Sequence, residues 1–492
     1  MNEFRIMRSG NALALAGATA VFLVTALWLR TGWVPSPSGG DEVWWSEAGY
    51  QWLQDGVLRW ACLDDERGSA VLSFWPPLSP LLQAGAMHVF GVTAFGVSMQ
   101  SSLVATLLLL VVFRHGQLLG FTHARAIFAA IALFGLLIVE RRLLQVRMEN
   151  LTALCAALFF ALLFSALRGR LFLAGCATGL GVMAYYPQAP FLLLASTVAV
   201  WASGQRSARA LLEFGAGGVM VAALAAMWIA PHWELFREQV LHTGSDRYFS
   251  ASNVLRPFTA LLPPASLVDR VQQTEKWLVL AVGALALWLE RGAARRALGW
   301  FALIGSAPMF CYDPSPQVFP AVAAVVLLFG WTTRWPMLAQ TGLVLLAVAK
   351  MSLTLFTAWH QREGRDYGPV ARDLLAAVDP QARFAVSQEA WLALRPHVAA
   401  DNLHLLVVGY TTAHQRPRVA YSPRVAEELD YLVLRRDRIE ETANNYPPLG
   451  AALRDGQFVL KQIVQPPLAP LPWSRVPTYQ LAIYVRAGLA AQ

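Results

Sequence analysis

The chain has 492 residues, of which 56% are hydrophobic and only 14% are charged, and it contains 18 tryptophans and 25 phenylalanines. Soluble domains carry about 25% charged residues, so this composition excludes a disordered chain, a collagen-like chain and an ordinary cytosolic enzyme. The net charge of +8 comes almost entirely from arginines in short loops and forms no basic face of the kind that nucleic-acid-binding proteins use.

Charged residues are spread unevenly along the chain. Residues 1–358 contain 42 of them, about one in eight, whereas residues 359–492 contain 28, about one in five. We therefore predict a membrane domain over 1–358 and a water-soluble domain over 359–492.

Eleven apolar runs predict an α-helical polytopic membrane protein with about eleven transmembrane helices, since one span needs about 20 mainly apolar residues. The first run follows Arg5 and Arg8 and is predicted to be an uncleaved membrane anchor. A shorter apolar stretch over 76–91 predicts a helix at the membrane interface. The eleven runs lie near 11–29, 94–113, 126–139, 150–167, 171–186, 189–203, 210–231, 277–290, 297–311, 318–332 and 336–357.

Arginines collect in alternate loops, which the positive-inside rule assigns to the cytoplasm. The large loops at 30–75 and 232–276 and the C-terminal domain then face outward from a bacterial inner (cytoplasmic) membrane. The loop from Glu140 to Arg147 breaks this trend. The predicted cytoplasmic arginines are Arg5, Arg8, Arg114, Arg125, Arg168, Arg170, Arg206, Arg209, Arg291, Arg295, Arg296 and Arg334.

Residues 359–492 are predicted to form a small α/β domain. An amphipathic pattern indicates a helix around 367–378, and alternating apolar residues indicate strands. The predicted strands cover 382–386, 430–434, 458–464 and 480–485.

Several short motifs occur in a definite order along the membrane domain. Two adjacent acids, Asp41 and Glu42, open an aromatic-rich segment in the first outer loop, and further motifs begin or end apolar runs. The further motifs are Pro76-Pro77-Leu78, Arg147-Met148-Glu149-Asn150, Ala184-Tyr185-Tyr186-Pro187 and Phe319-Pro320-Ala321.

This order resembles the GT-C superfamily of polyprenyl-phosphate-sugar-dependent glycosyltransferases, in particular its protein O-mannosyltransferase and aminoarabinose transferase-like branch. The resemblance covers roughly residues 1–358, although the lysine of the family's Thr-Lys-Tyr-Pro turn is missing before Tyr186. It implies an inverting glycosyltransferase with Asp41 as general base. The implied partners are a polyprenyl-phosphate-linked sugar donor, membrane lipid, and an envelope acceptor that is a glycolipid, a polysaccharide or a protein.

The residue types fit this chemistry, which needs a base near the acceptor hydroxyl and positive charge near the departing phosphate. Asp41 supplies a carboxylate at the membrane surface; the alternative is a solvated acidic pair or a helix cap. Glu42 is interpreted as orienting the acceptor or holding a divalent cation. No other cofactor is expected, and the histidine spacing predicts no dedicated metal site.

The remaining candidates are predicted to bind substrate. Arg147, assisted by Arg142 and next to Glu149, is expected to contact the donor phosphate, because guanidinium groups match phosphate oxygens. The alternative is an interfacial ion pair or arginines that reach out to water.

Three more candidates lie at or near outer helix ends. Tyr186 and Gln188 lie at one such end, where an aromatic-belt tyrosine is the alternative explanation. Lys350 lies inside the last run, where an ionisable group is a functional candidate and a side chain reaching out to water is the alternative.

Two functions from other classes compete with the enzyme. A transporter or flippase of lipid-linked sugars would be expected to show paired halves with broken helices, and no such repeat is visible in the sequence. A non-catalytic envelope scaffold would carry the same motifs without turnover.

Overall fold

The computed structural model of the chain describes residues 18–27, 40–62, 77–136, 148–185, 188–237, 267–307, 318–362, 366–406, 427–464 and 480–490. These residues form two compact units. The first unit contains the described residues up to 27, at 77–79, and from 101 to 353. The second unit contains 40–62, 80–100 and the described residues from 354 onward.

Helices dominate the chain up to residue 360. They are α1 (Ala18–Leu27), α2 (Gly40–Asp55), α3 (Leu78–Phe90), α4 (Ala94–Leu118), α5 (His123–Ala132), α6 (Met148–Leu163), α7 (Arg170–Ala184), α8 (Ala189–Ala202), α9 (Ala208–Ile229), α10 (Leu267–Leu289), α11 (Ala293–Ser306), α12 (Phe319–Gly330) and α13 (Arg334–His360).

Each of the eleven predicted apolar runs overlaps one of these helices, and a helix also occupies 78–90, within the predicted interfacial stretch. Within the described part of the chain, three helices are long and apolar enough to cross a membrane: α4, α9 with its continuation to Arg237, and α13. Leu212, Met227 and Leu345 on α9 and α13 are 64–72% exposed, which suits contact with lipid better than contact with water. The mainly helical membrane fold is thus confirmed, whereas the number of spans stays a prediction.

Helix α12 forms the centre of the first unit. All twelve of its residues are buried, as expected for a helix that is apolar on every side. Pro320 occupies its first turn, where a missing backbone N–H breaks no helical hydrogen bond. Phe319 packs edge-on against Phe301 of α11 at 5.6 Å, and Phe301 packs against Phe160 of α6 at 4.8 Å.

Glycines bring α7 and α9 into backbone contact. A Cβ atom on Gly175 of α7 would lie 1.9 Å from the carbonyl oxygen of Phe214, and one on Gly217 of α9 would lie 2.0 Å from that of Phe172. A Cβ atom on Gly179, one turn after Gly175, would lie 2.8 Å from the Cβ atom of Val221. This small-residue spacing is typical of closely crossing membrane helices.

Three of the predicted cytoplasmic loops meet at one end of the first unit. Arg125 donates to the carbonyl oxygen of Trp331, and the Trp331 indole N–H donates to the Glu290 carboxylate at 2.6 Å. Arg295 forms an ion pair with the same carboxylate at 2.9 Å. The loops that carry Arg125, Arg295 and Trp331 therefore lie on the same side, as the arginine pattern predicts.

The second unit contains a five-stranded mixed sheet with the order β2-β1-β3-β5-β4. Strand β1 is parallel to β2 and β3, whereas β5 is antiparallel to both β3 and β4. The four predicted strands and the predicted helix are confirmed to within about two residues, and β2 is an additional strand. The elements are α14 (Tyr367–Ala377), β1 (Phe384–Ser387), β2 (Leu403–Leu406), β3 (Tyr431–Arg435), α15 (Ile439–Asn445), α16 (Pro447–Arg454), β4 (Phe458–Val464) and β5 (Leu481–Arg486), with single helical turns at Trp391–Leu394 and Ala487–Ala490.

Candidate active site

The acidic pair of the first outer loop lies in the first turn of α2. The sequence analysis predicts no helix there, yet α2 runs for 16 residues and contains no proline. Asp41 is its second residue, a position where a carboxylate interacts favourably with the positive end of the helix dipole. The neighbouring Glu42 side chain is only 4% exposed.

Helix α2 is a core element of the second unit. Every residue from 42 to 51 is buried, including the indole-bearing Trp44 and Trp45. The chain then turns back, and the Trp60 indole N–H donates to the carbonyl oxygen of Trp44 at 2.9 Å. The segment that carries the acidic pair is therefore packed on several sides rather than exposed as a loop.

Glu47 is the polar centre of this segment, and its carboxylate is fully buried. One of its oxygens accepts hydrogen bonds from the Trp391 indole at 2.7 Å and from Arg395 Nε at 3.0 Å. The other accepts from the Gln51 amide at 3.1 Å and from the Cys62 thiol at 3.3 Å. A buried carboxylate needs such partners, since an unpaired charge would be driven to take up a proton or water.

Charged and aromatic groups around Glu47 interact with one another. The Arg395 guanidinium lies 4.5 Å from the Tyr50 ring centroid, a cation–π contact that adds to its ion pair. Burial acts to lower the pKa of Arg395, but Glu47, Cys62 and Tyr50 together outweigh it and the net pKa is raised. Burial, followed by the negative charge of Glu47, raises the pKa of the free thiol Cys62 well above its usual value.

A second set of contacts holds α2 against α3. The Gln83 amide donates to Ser46 Oγ at 3.5 Å and to the carbonyl oxygen of Val97 at 3.1 Å. Gly49 lets the two helices approach closely, because a Cβ atom there would lie 2.8 Å from the carbonyl oxygen of Pro80. Helix α2 is thus fixed by α3 on one side and by the 391–395 segment on another.

We expect Gly49→Ala to lower the free energy of unfolding by about 1–3 kcal/mol, because its methyl group must push backbone atoms of α3 away. Gly85→Ala is the matched control, since a Cβ atom at that α3 position would meet nothing within 4 Å. Thermal unfolding of both purified variants tests this. Equal melting temperatures would contradict the close approach of the two helices.

The other predicted site residues belong to the first unit or lie outside the described residues. Glu149, in the first turn of α6, is 4% exposed, and Gln188, directly before α8, is 1% exposed. Both side-chain polar atoms of Gln188 lack a hydrogen-bond partner among the described residues. Arg142, Arg147 and Tyr186 lie outside the described residues.

Lys350 lies on α13 within the first unit. Its ammonium group donates to the carbonyl oxygen of Gly135 at 2.7 Å, at the end of the short helical extension of α5. A cation at such a carbonyl end is favourable because these oxygens lack helical donors. This contact gives Lys350 a structural partner, and its predicted role in substrate binding stays a prediction.

The sequence analysis missed Glu47, Cys62, Trp391 and Arg395. Trp391 and Arg395 are four residues apart, a spacing that places both on one helical face and is a detectable signal. Their partner Glu47 lies 344 residues before Trp391, and no local pattern connects the two. A contact of this kind becomes visible only in the folded chain.

Comparisons with known proteins agree with this architecture. The sequence profile of the family described as dolichyl-phosphate-mannose-protein mannosyltransferase matches residues 75–233. The crystal structure of ArnT from Cupriavidus metallidurans bound to undecaprenyl phosphate superposes with a TM-score of 0.59 at 13% sequence identity, covering 98% of this chain and 99% of that chain. The chain therefore has the GT-C fold, and about a third of it matches the mannosyltransferase family.

The apo structure of the same ArnT gives a TM-score of 0.58 at 12% identity, covering 97% of this chain and 99% of that chain. At this identity the likeness establishes the GT-C fold, and it extends through the C-terminal α/β part as well as the helices. Comparison with curated protein sequences finds no significant match. The sequence-based resemblance to GT-C enzymes is therefore confirmed at the level of the fold.

Proposed function

We propose that this GT-C protein is an inverting glycosyltransferase that moves a sugar from a polyprenyl-phosphate donor to an envelope acceptor at the outer face of the cytoplasmic membrane. The observation that carries the proposal is the position of Asp41 in the first turn of a packed helix, in a chain whose fold matches the undecaprenyl-phosphate-bound ArnT structure almost end to end. A fixed helix suits a general base, which must stay within hydrogen-bond reach of the acceptor hydroxyl.

The proposed reaction is a single displacement. The Asp41 carboxylate accepts the proton of an acceptor hydroxyl, and the acceptor oxygen forms a bond to the anomeric carbon from the face opposite the leaving group. The bond from that carbon to the phosphate oxygen breaks, and polyprenyl phosphate leaves with the bonding electron pair. Because the transition state carries positive charge at the sugar, a nearby carboxylate also stabilises it.

The remaining roles follow the sequence analysis. Glu42 orients the acceptor or holds a divalent cation, and Arg147 with Arg142 neutralises the departing phosphate. Glu149, Tyr186, Gln188 and Lys350 are further candidates for contact with the donor. Among the described residues no group of three or more His, Cys, Asp or Glu side chains forms a ready metal site, and the proposed reaction routes no step through a metal ion.

Turnover separates this function from its two rivals. We expect purified protein in lipid nanodiscs to convert at least one donor in a panel of polyprenyl-phosphate sugars to free polyprenyl phosphate when envelope extract supplies the acceptor. A flippase would instead move the donor intact across a vesicle membrane, and a scaffold would do neither. Mass spectrometry of the lipid fraction checks the expectation, and an unchanged donor across the panel would overturn the proposal.

A further inference from the structure

The Glu47–Arg395 ion pair connects the proposed catalytic helix to the C-terminal α/β part of the second unit. Both side chains are almost completely buried, at 1% and 5% exposure, and their closest N···O distance is 3.0 Å. Trp391 donates to the same carboxylate from one helical turn earlier. Trp391 and Arg395 therefore both hold α2 through hydrogen bonds to one acidic side chain.

Helix α2 connects the contacts of Glu47 to the acidic pair, because both lie on the same helix. Asp41 and Glu47 are six residues apart on one uninterrupted helix, a distance of about 9 Å along its axis. Because the backbone hydrogen bonds of α2 make it stiff, a shift or rotation of the helix at Glu47 also displaces the first turn of α2. The hydrogen bond from Cys62, the cation–π contact of Tyr50 and the bond from the Leu405 N–H to the Cys62 carbonyl oxygen add to the same connection.

We infer that Arg395 is a positioning residue, which holds α2 through Glu47 so that Asp41 is presented to the acceptor in a fixed orientation. This inference rests on the proposed role of Asp41 as general base. The C-terminal α/β part would then contribute to catalysis indirectly, by placing Asp41, which lies outside that part of the chain.

The second unit offers a matched control. Arg435 at the end of β3 forms an ion pair with Glu389 at 3.1 Å, and the two side chains are 8% and 6% exposed, much like Arg395 and Glu47. Arg435 also bonds to Asp437 at 2.6 Å. Among the described residues its polar partners all lie outside α2. Arg435→Ala therefore breaks a comparable buried ion pair without touching the proposed catalytic helix.

The test compares Arg395→Ala and Arg435→Ala in the full-length protein at a temperature where both are folded. We expect Arg395→Ala to lower kcat by about 10–100-fold with the KM for the donor within about 3-fold of wild type, because misplacing a catalytic group by about 1 Å has this effect. Arg435→Ala should leave both constants within about 3-fold. Arg395→Lys, which keeps the charge, should recover part of kcat. Equal losses in the two alanine variants, or an unchanged kcat in Arg395→Ala, would overturn the inference.

A second readout does not depend on activity. Hydrogen–deuterium exchange of peptides that cover residues 42–50 should be faster in Arg395→Ala than in wild type and unchanged in Arg435→Ala. Maleimide labelling of Cys62, which is 1% exposed in wild type, should be faster in Arg395→Ala alone.

The combined results separate the two proposals. If wild type shows no turnover but the exchange pattern is as expected, the proposed function is rejected, whereas the conclusion that Arg395 holds α2 in place is retained. Turnover without any exchange difference would reject the inference alone. If Arg395→Ala does not fold, Glu47→Gln, which removes the charge with little change in shape, replaces it in the same comparison.

Discussion

Asp41→Asn is expected to lower the rate of sugar transfer by about 10²–10⁴-fold, the range that general-base catalysis contributes. Asparagine keeps the size and the hydrogen-bonding oxygen of aspartate, but its neutral amide does not accept the acceptor proton. The neutral side chain loses an interaction with the helix dipole worth only about 0.3–1 kcal/mol, so the melting temperature should stay close to that of wild type. Initial rates with a donor that wild type consumes check this expectation.

The same helix supplies the control for Asp41. Asp55 is the last residue of α2, and its side chain is about one-third exposed in a surface ion pair with Arg59. Such pairs contribute at most about 1 kcal/mol to stability, so Asp55→Asn should retain wild-type turnover to within about 3-fold. Equal activity of wild type and Asp41→Asn would place the base elsewhere in the chain and remove the central residue of the proposed mechanism.

The largest expected effect on stability comes from the crossing of α7 and α9. Gly175→Leu places a side chain where even a Cβ atom would lie 1.9 Å from a backbone oxygen of α9, so the two helices must separate. Overpacking of this kind destabilises a protein by about 1–3 kcal/mol or more. The separation also removes the close contacts around Gly217 and Gly179, so we expect a melting temperature in detergent lower by about 5 °C or more.

Gly215→Ala tests whether this loss comes from the crossing rather than from any added methyl group on these helices. Gly215 lies on α9 two residues before Gly217, and a Cβ atom there would meet nothing within 4 Å. Alanine is a better helix former than glycine, so the melting temperature of this variant should equal or exceed that of wild type. A tolerated Gly175→Leu would contradict the backbone contact between α7 and α9.

The sequence predicts elements whose signals are local. Apolar runs locate the helices of the first unit, and period-two alternation locates four of the five strands, because both signals lie within a window of about ten residues. Strand β2, Leu403–Leu406, was missed because its three leucines and one histidine do not alternate strictly between apolar and polar residues. Helix α2 was missed because ten successive buried residues show no amphipathic period.

In the candidate site, too, local signals can be predicted from the sequence and long-range contacts cannot. The acidic pair at Asp41 and Glu42 is contiguous in sequence and was identified from its motif. The contacts of Glu47 depend on tertiary structure, since its strongest partners follow more than 340 residues later. Spacing along a helix indicates which residues share a face, but it does not identify the surface that this face contacts.

The separation of Glu47 and Arg395 by 348 residues also determines when the helix of Asp41 is completed during synthesis. Helix α2 leaves the ribosome early, whereas its arginine and tryptophan partners follow only after the thirteen helices described up to residue 360 have been made. A product that stops before residue 391 retains Asp41 but leaves the Glu47 carboxylate without two of its donors. The packing that holds the helix of Asp41 is therefore complete only after residue 395 has been made.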